Sequence, residues 1–329
     1  MTKMSRLPTL VFIPGSWHKA ACYSKVIDSL QSQYNIKCRT VTLPTTSGDP
    51  KATFKDDVDA ARAIILSETT EGRDVIVIAH SYGGMVGNSS IKGLTPAKSS
   101  HNNSTPPAST DSESSSGHVK ALVLIASGFT WTGWTFMEPL FNIPPPSWTA
   151  NKETGFAELA MSPRELFYHD LPADEAAYWV GQLTPQSLKG LFEGGEYSYA
   201  GWQDVPTWYI GTTEDRGLPV VLQRVQVGMA RGQGAIVHHR ELASSHSPFL
   251  SMPGEVVGII MEAVHGMSSD EETRKGSGAV AGGKKYQVPA FKILSPGSWF
   301  KFGIPLMMGH GFAWVFIGVK SLSRLWRRT

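Results

Sequence analysis

The ten residues Val75-Ile76-Val77-Ile78-Ala79-His80-Ser81-Tyr82-Gly83-Gly84 constrain this chain more than any others. An apolar run leads into a serine, and small residues follow it. That order predicts a strand, a very tight turn and then a helix, with Ser81 at the apex. So sharp a turn forces the serine into strained backbone geometry. It lifts the hydroxyl clear of the sheet, above a helix N-terminus. Side chains two residues before and two after the serine would collide with neighbouring backbone, which suits Ala79 and Gly83. The usual pattern is G-x-S-x-G, and Ala79 replaces its first glycine with one extra methyl.

Around this turn, runs of Val, Ile and Leu predict strands at 9–13, 39–43, 74–79, 121–126, 207–210 and 235–240. Helical spacing falls between them at 20–31, 54–66, 81–92, 218–229 and 255–264. Such alternation predicts an α/β fold, a parallel sheet covered by helices on both faces. At 329 residues the chain is long enough for one such domain with insertions or for two small domains. Two stretches break the rhythm. Residues 94–118 are rich in Ser, Pro and Asn, nearly free of apolar residues, and read as a disordered surface loop. Residues 130–202 are aromatic and proline-rich and lie between two sheet strands. They read as a helical cap over the serine, with Trp131, Trp134 and Trp179 among the candidates for an apolar pocket beneath it, together with Trp17.

A serine hydroxyl is a poor nucleophile unless a base takes its proton and an acid orients that base. The base candidate is His246, in Ser244-Ser245-His246-Ser247-Pro248, after the last strand and before the last helix of the domain. A loop there reaches back across the strand ends. His80 adjoins Ser81 and should point away from it, while His18 and His169 remain candidates for supporting roles. The acid candidate is Asp215, in a loop that leaves a strand and enters a helix, with Glu214 its nearest rival. The oxyanion needs backbone N–H donors. Tyr82 opens a helix, where N–H groups are unpaired, and Ser16 follows Gly15 in the turn after the first strand, with Trp17 the next choice. The chain order Ser81, Asp215, His246 is that of serine-elbow enzymes.

The segments PGSWH (14–18), AHSYGG (79–84), TTEDRGLP (212–219) and SHSPFL (245–250) together resemble the α/β-hydrolase superfamily. More narrowly, they are similar to the branch that holds plant methylesterases and hydroxynitrile lyases, with fungal and bacterial relatives. The likeness runs from about residue 10 to residue 264, and FYHDLPADEAAYWVGQLTPQS (167–187) is similar to cap text of that branch. It implies an α/β-hydrolase fold, a nucleophile Ser81, acid Asp215, base His246 and donors Ser16 and Tyr82, with no cofactor and no metal. Hydroxynitrile lyases of this kind carry threonine at the position of Gly15 and lysine at that of Ser247, so cyanohydrin cleavage is disfavoured here. The expectation is hydrolysis of an ester, thioester or lactone of a small apolar substrate. The alternatives are a lyase, cyclase or isomerase of secondary metabolism, or a non-catalytic ligand-binding member.

The rest of the sequence bears on partners. The net charge of +2 gives no argument for nucleic acid. Eight Lys/Arg and no Asp/Glu follow residue 283, leaving 22 basic and 28 acidic residues before it, a net of −6. A basic tail on an acidic body suits an anionic surface. After a linker at 267–285, the run from Phe302 to Val319 holds eighteen residues and no Lys, Arg, Asp or Glu. As a helix it would span about 27 Å, close to the hydrocarbon core of a bilayer at about 30 Å. The tail, 286–329, is therefore expected to contact a membrane, spanning it or lying in its surface, although Pro305 and four glycines weaken a helix. The alternative is a segment packed on the cap. Two cysteines, Cys22 and Cys38, make no disulfide framework, and strand signal begins near Leu7. Both favour an intracellular, cytoplasmic setting.

Overall fold

The computed structural model describes residues 7–96, 116–267, 286–289, 292 and 295–326. Most of the expected loop at 94–118 and of the linker at 267–285 lies outside them. Six parallel strands form the main sheet: β1 (Thr9–Ile13), β2 (Cys38–Thr40), β3 (Val75–His80), β4 (Val119–Ile125), β8 (Thr207–Thr212) and β9 (Val237–Leu242). Their order is β2-β1-β3-β4-β8-β9, and each of the six expected strands is present within about three residues. Alternate residues face opposite sides. Val11, Ile13, Val77 and Leu124 join one core with helices α2 (Phe54–Thr69), α3 (Gly83–Ser90) and α7 (Val220–Gly232). Leu10, Phe12, Ile78 and Val123 join the other with α1 (Ser24–Tyr34) and α9 (Pro253–Gly266). This is the doubly wound α/β arrangement.

The strand order places the site. From β1 the chain goes outward to β2, then returns to place β3 on the other side of β1. Loops leaving β1 and β3 therefore diverge at the carboxyl ends of the strands, where open α/β sheets form their crevice. The Ser16–Trp17 turn and the Ser81 turn sit at this point.

The insert between β4 and β8 covers that crevice. It carries α4 (Pro163–Phe167), α5 (Ala173–Gly181) and α6 (Leu188–Phe192), as expected of a cap. It also holds a small antiparallel sheet of β5 (Trp148–Asn151), β6 (Phe156–Leu159) and β7 (Gln186–Ser187), which the aromatic-rich sequence did not announce. The short α8 (Pro248–Ser251) precedes α9.

The expectation of a membrane-spanning tail is overturned. Among the described residues no helix is long and apolar enough to cross a membrane. Helix α10 (Ile304–Trp326) covers the run, but its glycines, Pro305 and His310 dilute its apolar character. Ala313 is fully buried, and close contacts seat the helix on α7.

Candidate active site

Ser81 sits at φ +50°, in the left-handed region, between β3 and α3. A side chain there is strained, and the surroundings hold it. Ser81 donates its backbone N–H to the Ile125 carbonyl at 3.0 Å. The Ser127 hydroxyl donates to the Ser81 carbonyl at 2.7 Å. A Cβ on Gly83 would stand 2.2 Å from the Pro14 carbonyl oxygen, and one on Gly84 1.9 Å from Ser127 Oγ. The small residues are thus required by contact with the β1 and β4 turns. Trp17 (φ +61°) and Ala126 (φ +44°), which end neighbouring turns, are strained in the same sense, and all three line one cavity.

His246 and Asp215 meet. His246 Nδ1 lies 2.8 Å from Asp215 Oδ2, and both residues are buried. The carboxylate is further held by the Thr212 hydroxyl (2.7 Å) and Gln223 Nε2 (3.3 Å) on Oδ2, and by the Gly217 and Leu218 N–H groups (2.8 and 2.7 Å) on Oδ1. Burial pushes the Asp215 carboxyl up. The charge and hydrogen bond of His246, with Leu218 and Thr212, outweigh it and hold the group below its ordinary range. An ionised acid so placed fixes the imidazole tautomer with Nδ1 protonated and Nε2 free to accept. Glu214, the rival acid, instead faces His169 at 4.0 Å.

The two N–H donors expected from sequence lie on the turns that flank the crevice. Among the described residues no protein acceptor takes the N–H of Ser16 or Tyr82. Tyr82 is anchored from behind, its hydroxyl donating to Asp57 at 2.7 Å. Asp57 in turn accepts from the Thr45 N–H and hydroxyl. Burial raises the Asp57 carboxyl to about 6, against those three hydrogen bonds.

Ser16, Trp17, Ser81 and His246 open on a single cavity of about 700 Å³, a size that suits a small-molecule site. Its other walls are mostly apolar, with Ser127, Thr130, Thr135, Ser147 and Gln226 among them. They include Met85, Phe136 and Trp148, together with the expected Trp131 and Trp134. Trp17 is tied to the cap by its indole N–H, which donates to the Ala157 carbonyl at 3.0 Å. Trp179 is a correction: it does not line this cavity. Its face of α5 turns to the core on the α1 side, beside His18, Cys22 and Tyr168, and its indole N–H donates to Glu175.

Sequence reasoning passed over how the loops are fastened. His80, set aside as pointing away from Ser81, lies beneath His246. Its Nε2 donates to the His246 carbonyl at 2.9 Å, and the two rings are 4.6 Å apart. Burial, then the nearby His246 and His18, hold its pKa well below the ordinary histidine range. His80 also explains Gly15, where a Cβ would stand 2.8 Å from His80 Nδ1. His18 Nδ1 donates to the Ser16 carbonyl at 2.7 Å, and Nε2 accepts from the Tyr168 hydroxyl at 2.8 Å. Burial lowers its pKa to about 4. From the cap, Asp170 accepts the Ser245 N–H and the Phe167 carbonyl accepts the Ser245 hydroxyl, both at 2.8 Å. The run Phe167-Tyr168-His169-Asp170 thus fastens both the Ser16 turn and the His246 loop. Its polar residues inside an aromatic cap were the available signal.

A strained serine at the carboxyl end of a central parallel strand, opening on one cavity with a buried His–Asp pair under an inserted cap, defines the class of α/β hydrolases. The alpha/beta hydrolase family model matches residues 10–259, and the chain belongs to that family. It is 25% identical over 260 residues to alpha/beta hydrolase nvfD of Aspergillus novofumigatus, covering 78% of this chain and 96% of that protein. Among solved structures it is similar to polyneuridine aldehyde esterase, with a TM-score of 0.57 and 18% identity over 78% of this chain and 99% of the other. A pyrethroid hydrolase from Sphingobium faniae matches with a TM-score of 0.55 and 20% identity, over 79% and 98% of the two chains. At those identities the structural likeness bears on the fold.

Proposed function

We propose that this α/β hydrolase is a serine hydrolase cleaving an ester, thioester or lactone of a small apolar substrate through an acyl-enzyme. One observation carries the reading: the buried His246–Asp215 pair and the strained Ser81 open on the same apolar cavity. His246 Nε2 takes the Ser81 proton as Oγ attacks the carbonyl carbon. The Ser16 and Tyr82 N–H groups receive the developing oxyanion. His246 then gives the proton to the leaving alcohol or thiol. Water repeats the sequence and frees the acid. The cap's aromatic walls take the apolar part of the substrate and exclude water. The names of the similar structures, an esterase and a hydrolase, support the same chemistry.

Incubation with a fluorophosphonate probe tests this. Wild-type protein labels at one site, and Ser81→Ala abolishes labelling. Labelling that survives the substitution removes Ser81 from the role. Turnover of a natural substrate by Ser81→Ala would point instead to base chemistry without an acyl-enzyme.

A further inference from the structure

The family match ends at residue 259, yet the chain beyond it reaches the cavity. Helices α7 and α10 meet through small residues four apart, which place a single face of each helix at the contact. On α7 these are Gly228 and Gly232, and on α10 Gly309 and Ala313. A Cβ on Gly228 would stand 2.4 Å from the Leu306 carbonyl oxygen, and one on Gly309 2.0 Å from that of Val225. A Cβ on Gly232 would stand 2.9 Å from the Ala313 methyl. The two backbones are in direct contact, so α10 has a fixed seat.

The stretch leading into α10 is fastened as well. Gln287 and Glu241 exchange backbone hydrogen bonds at 2.8 Å in both directions, adding a residue to the sheet edge at β9. The Tyr286 hydroxyl donates to Glu262. The Phe302 ring lies 4.6 Å from the Arg224 guanidinium, which is itself paired with Glu241 through two hydrogen bonds of 2.7 and 2.8 Å.

This seating brings Phe312 and Val315 to the cavity that holds Ser81 and His246. Both are more than half exposed, so they form its rim rather than its floor. Leu222 of α7 and Leu140 of the cap, also exposed, stand on the same rim.

We infer that α10 is the wall of the substrate cavity that selects long apolar chains. The reacting carbonyl sits at Ser81, and the substrate's distal methylenes run out against Phe312 and Val315. Each methylene buried there contributes about fourfold in kcat/KM. Short substrates end before the rim and do not use α10.

The inference rests on the hydrolase reading only for its activity readout. The full chain is assayed on p-nitrophenyl acetate and p-nitrophenyl decanoate. Gly309 does not itself line the cavity, but a Leu there presses on Val225 and Met229, which do, so Gly309→Leu unseats α10 from that wall. It is expected to lower kcat/KM for the decanoate about tenfold or more, the worth of two buried methylenes. Acetate hydrolysis should change by less than about fourfold, the contribution of a single methylene. Phe312→Ala, at an exposed position that tolerates truncation, lowers the same ratio and decides the matter should Gly309→Leu not fold. An unchanged decanoate-to-acetate ratio in folded Phe312→Ala overturns the inference. A second readout needs no turnover: Nile red is titrated by fluorescence into Ser81→Ala protein with and without Phe312→Ala. Weaker binding in the double variant supports the wall even if no ester is cleaved, in which case the hydrolase reading alone falls. Equal binding, with no ester cleaved, overturns the wall.

Discussion

Asp215 shows how much a single residue type carries at this site. It accepts from Thr212, Gln223, Gly217, Leu218 and His246, which fills the lone pairs of a carboxylate. Asn in its place presents an NH₂ either to the backbone donors of Gly217 and Leu218 or to His246 and Thr212. In either orientation two donors face each other, and the imidazole loses the anion that sets its tautomer. Asp215→Asn is therefore expected to lower kcat about 10³- to 10⁴-fold, as loss of the orienting acid does in other triads, with a far smaller change in KM. Steady-state kinetics on a p-nitrophenyl ester checks it. A loss below tenfold would show that another group orients the base. The contacts of Asp215 with His246 were legible because residue type, loop position and chain order agreed. Those of His80 and His18 were not. Each acts on a backbone carbonyl brought near by a loop from elsewhere in the chain, and no local pattern encodes that meeting.

At the scale of elements, the strands were legible because they are buried on both faces and read as continuous apolar runs. The cap was legible only as an insertion. Its short strands pair across the 28 residues between Ala157 and Gln186, and their aromatic and polar residues carry no clean period. Glycines divide in the same way. Gly83 faces the backbone of Pro14 and Ile13, whereas Gly258, in the middle of α9, has nothing within 4 Å of its would-be Cβ. Gly83→Ala is expected to destabilise the fold by about 1–3 kcal/mol, the usual cost of overpacking, because β1 and α3 must part. Gly258→Ala should stabilise by about 0.5–1 kcal/mol through helix propensity alone. Urea unfolding of the pair checks both. Equal effects of the two substitutions would mean that the elbow glycine is there for flexibility and not for space.

Over the whole molecule, the membrane-spanning reading of the tail weighed its hydropathy and not its small residues. The spacing of Gly228 with Gly232, and of Gly309 with Ala313, matches only when two distant segments are set side by side. A second property of the whole follows from the buried histidines. His18 is lowered to about 4 and His239 to about 3, chiefly by burial, and His80 lies well below the ordinary value of 6.5. Unfolded, each takes a proton near pH 6.5; folded, each refuses it until far lower pH. The unfolded chain therefore holds more protons between those values, and stability falls as pH drops below 6.5 toward 4. Each histidine contributes a slope of at most about 1.4 kcal/mol per pH unit. Glu68 works in the same direction further down. Burial raises its carboxyl, but Arg73, Lys37 and Thr9 outweigh that and bring it to about 2, below the ordinary 4.5. Its share of stability is present above pH 4.5 and lost as pH falls toward 2. Asp57 opposes them. Raised to about 6 by burial, it binds a proton more readily in the folded chain, so its contribution shrinks as pH rises through 6. Three histidines against one carboxyl leave a net gain in stability from pH 5 to pH 7. The urea midpoint should therefore be higher at pH 7 than at pH 5, and His239→Gln, at a position away from the active-site cavity, should flatten the difference. A midpoint equal or higher at pH 5 would mean that these histidines take up protons without unfolding the chain.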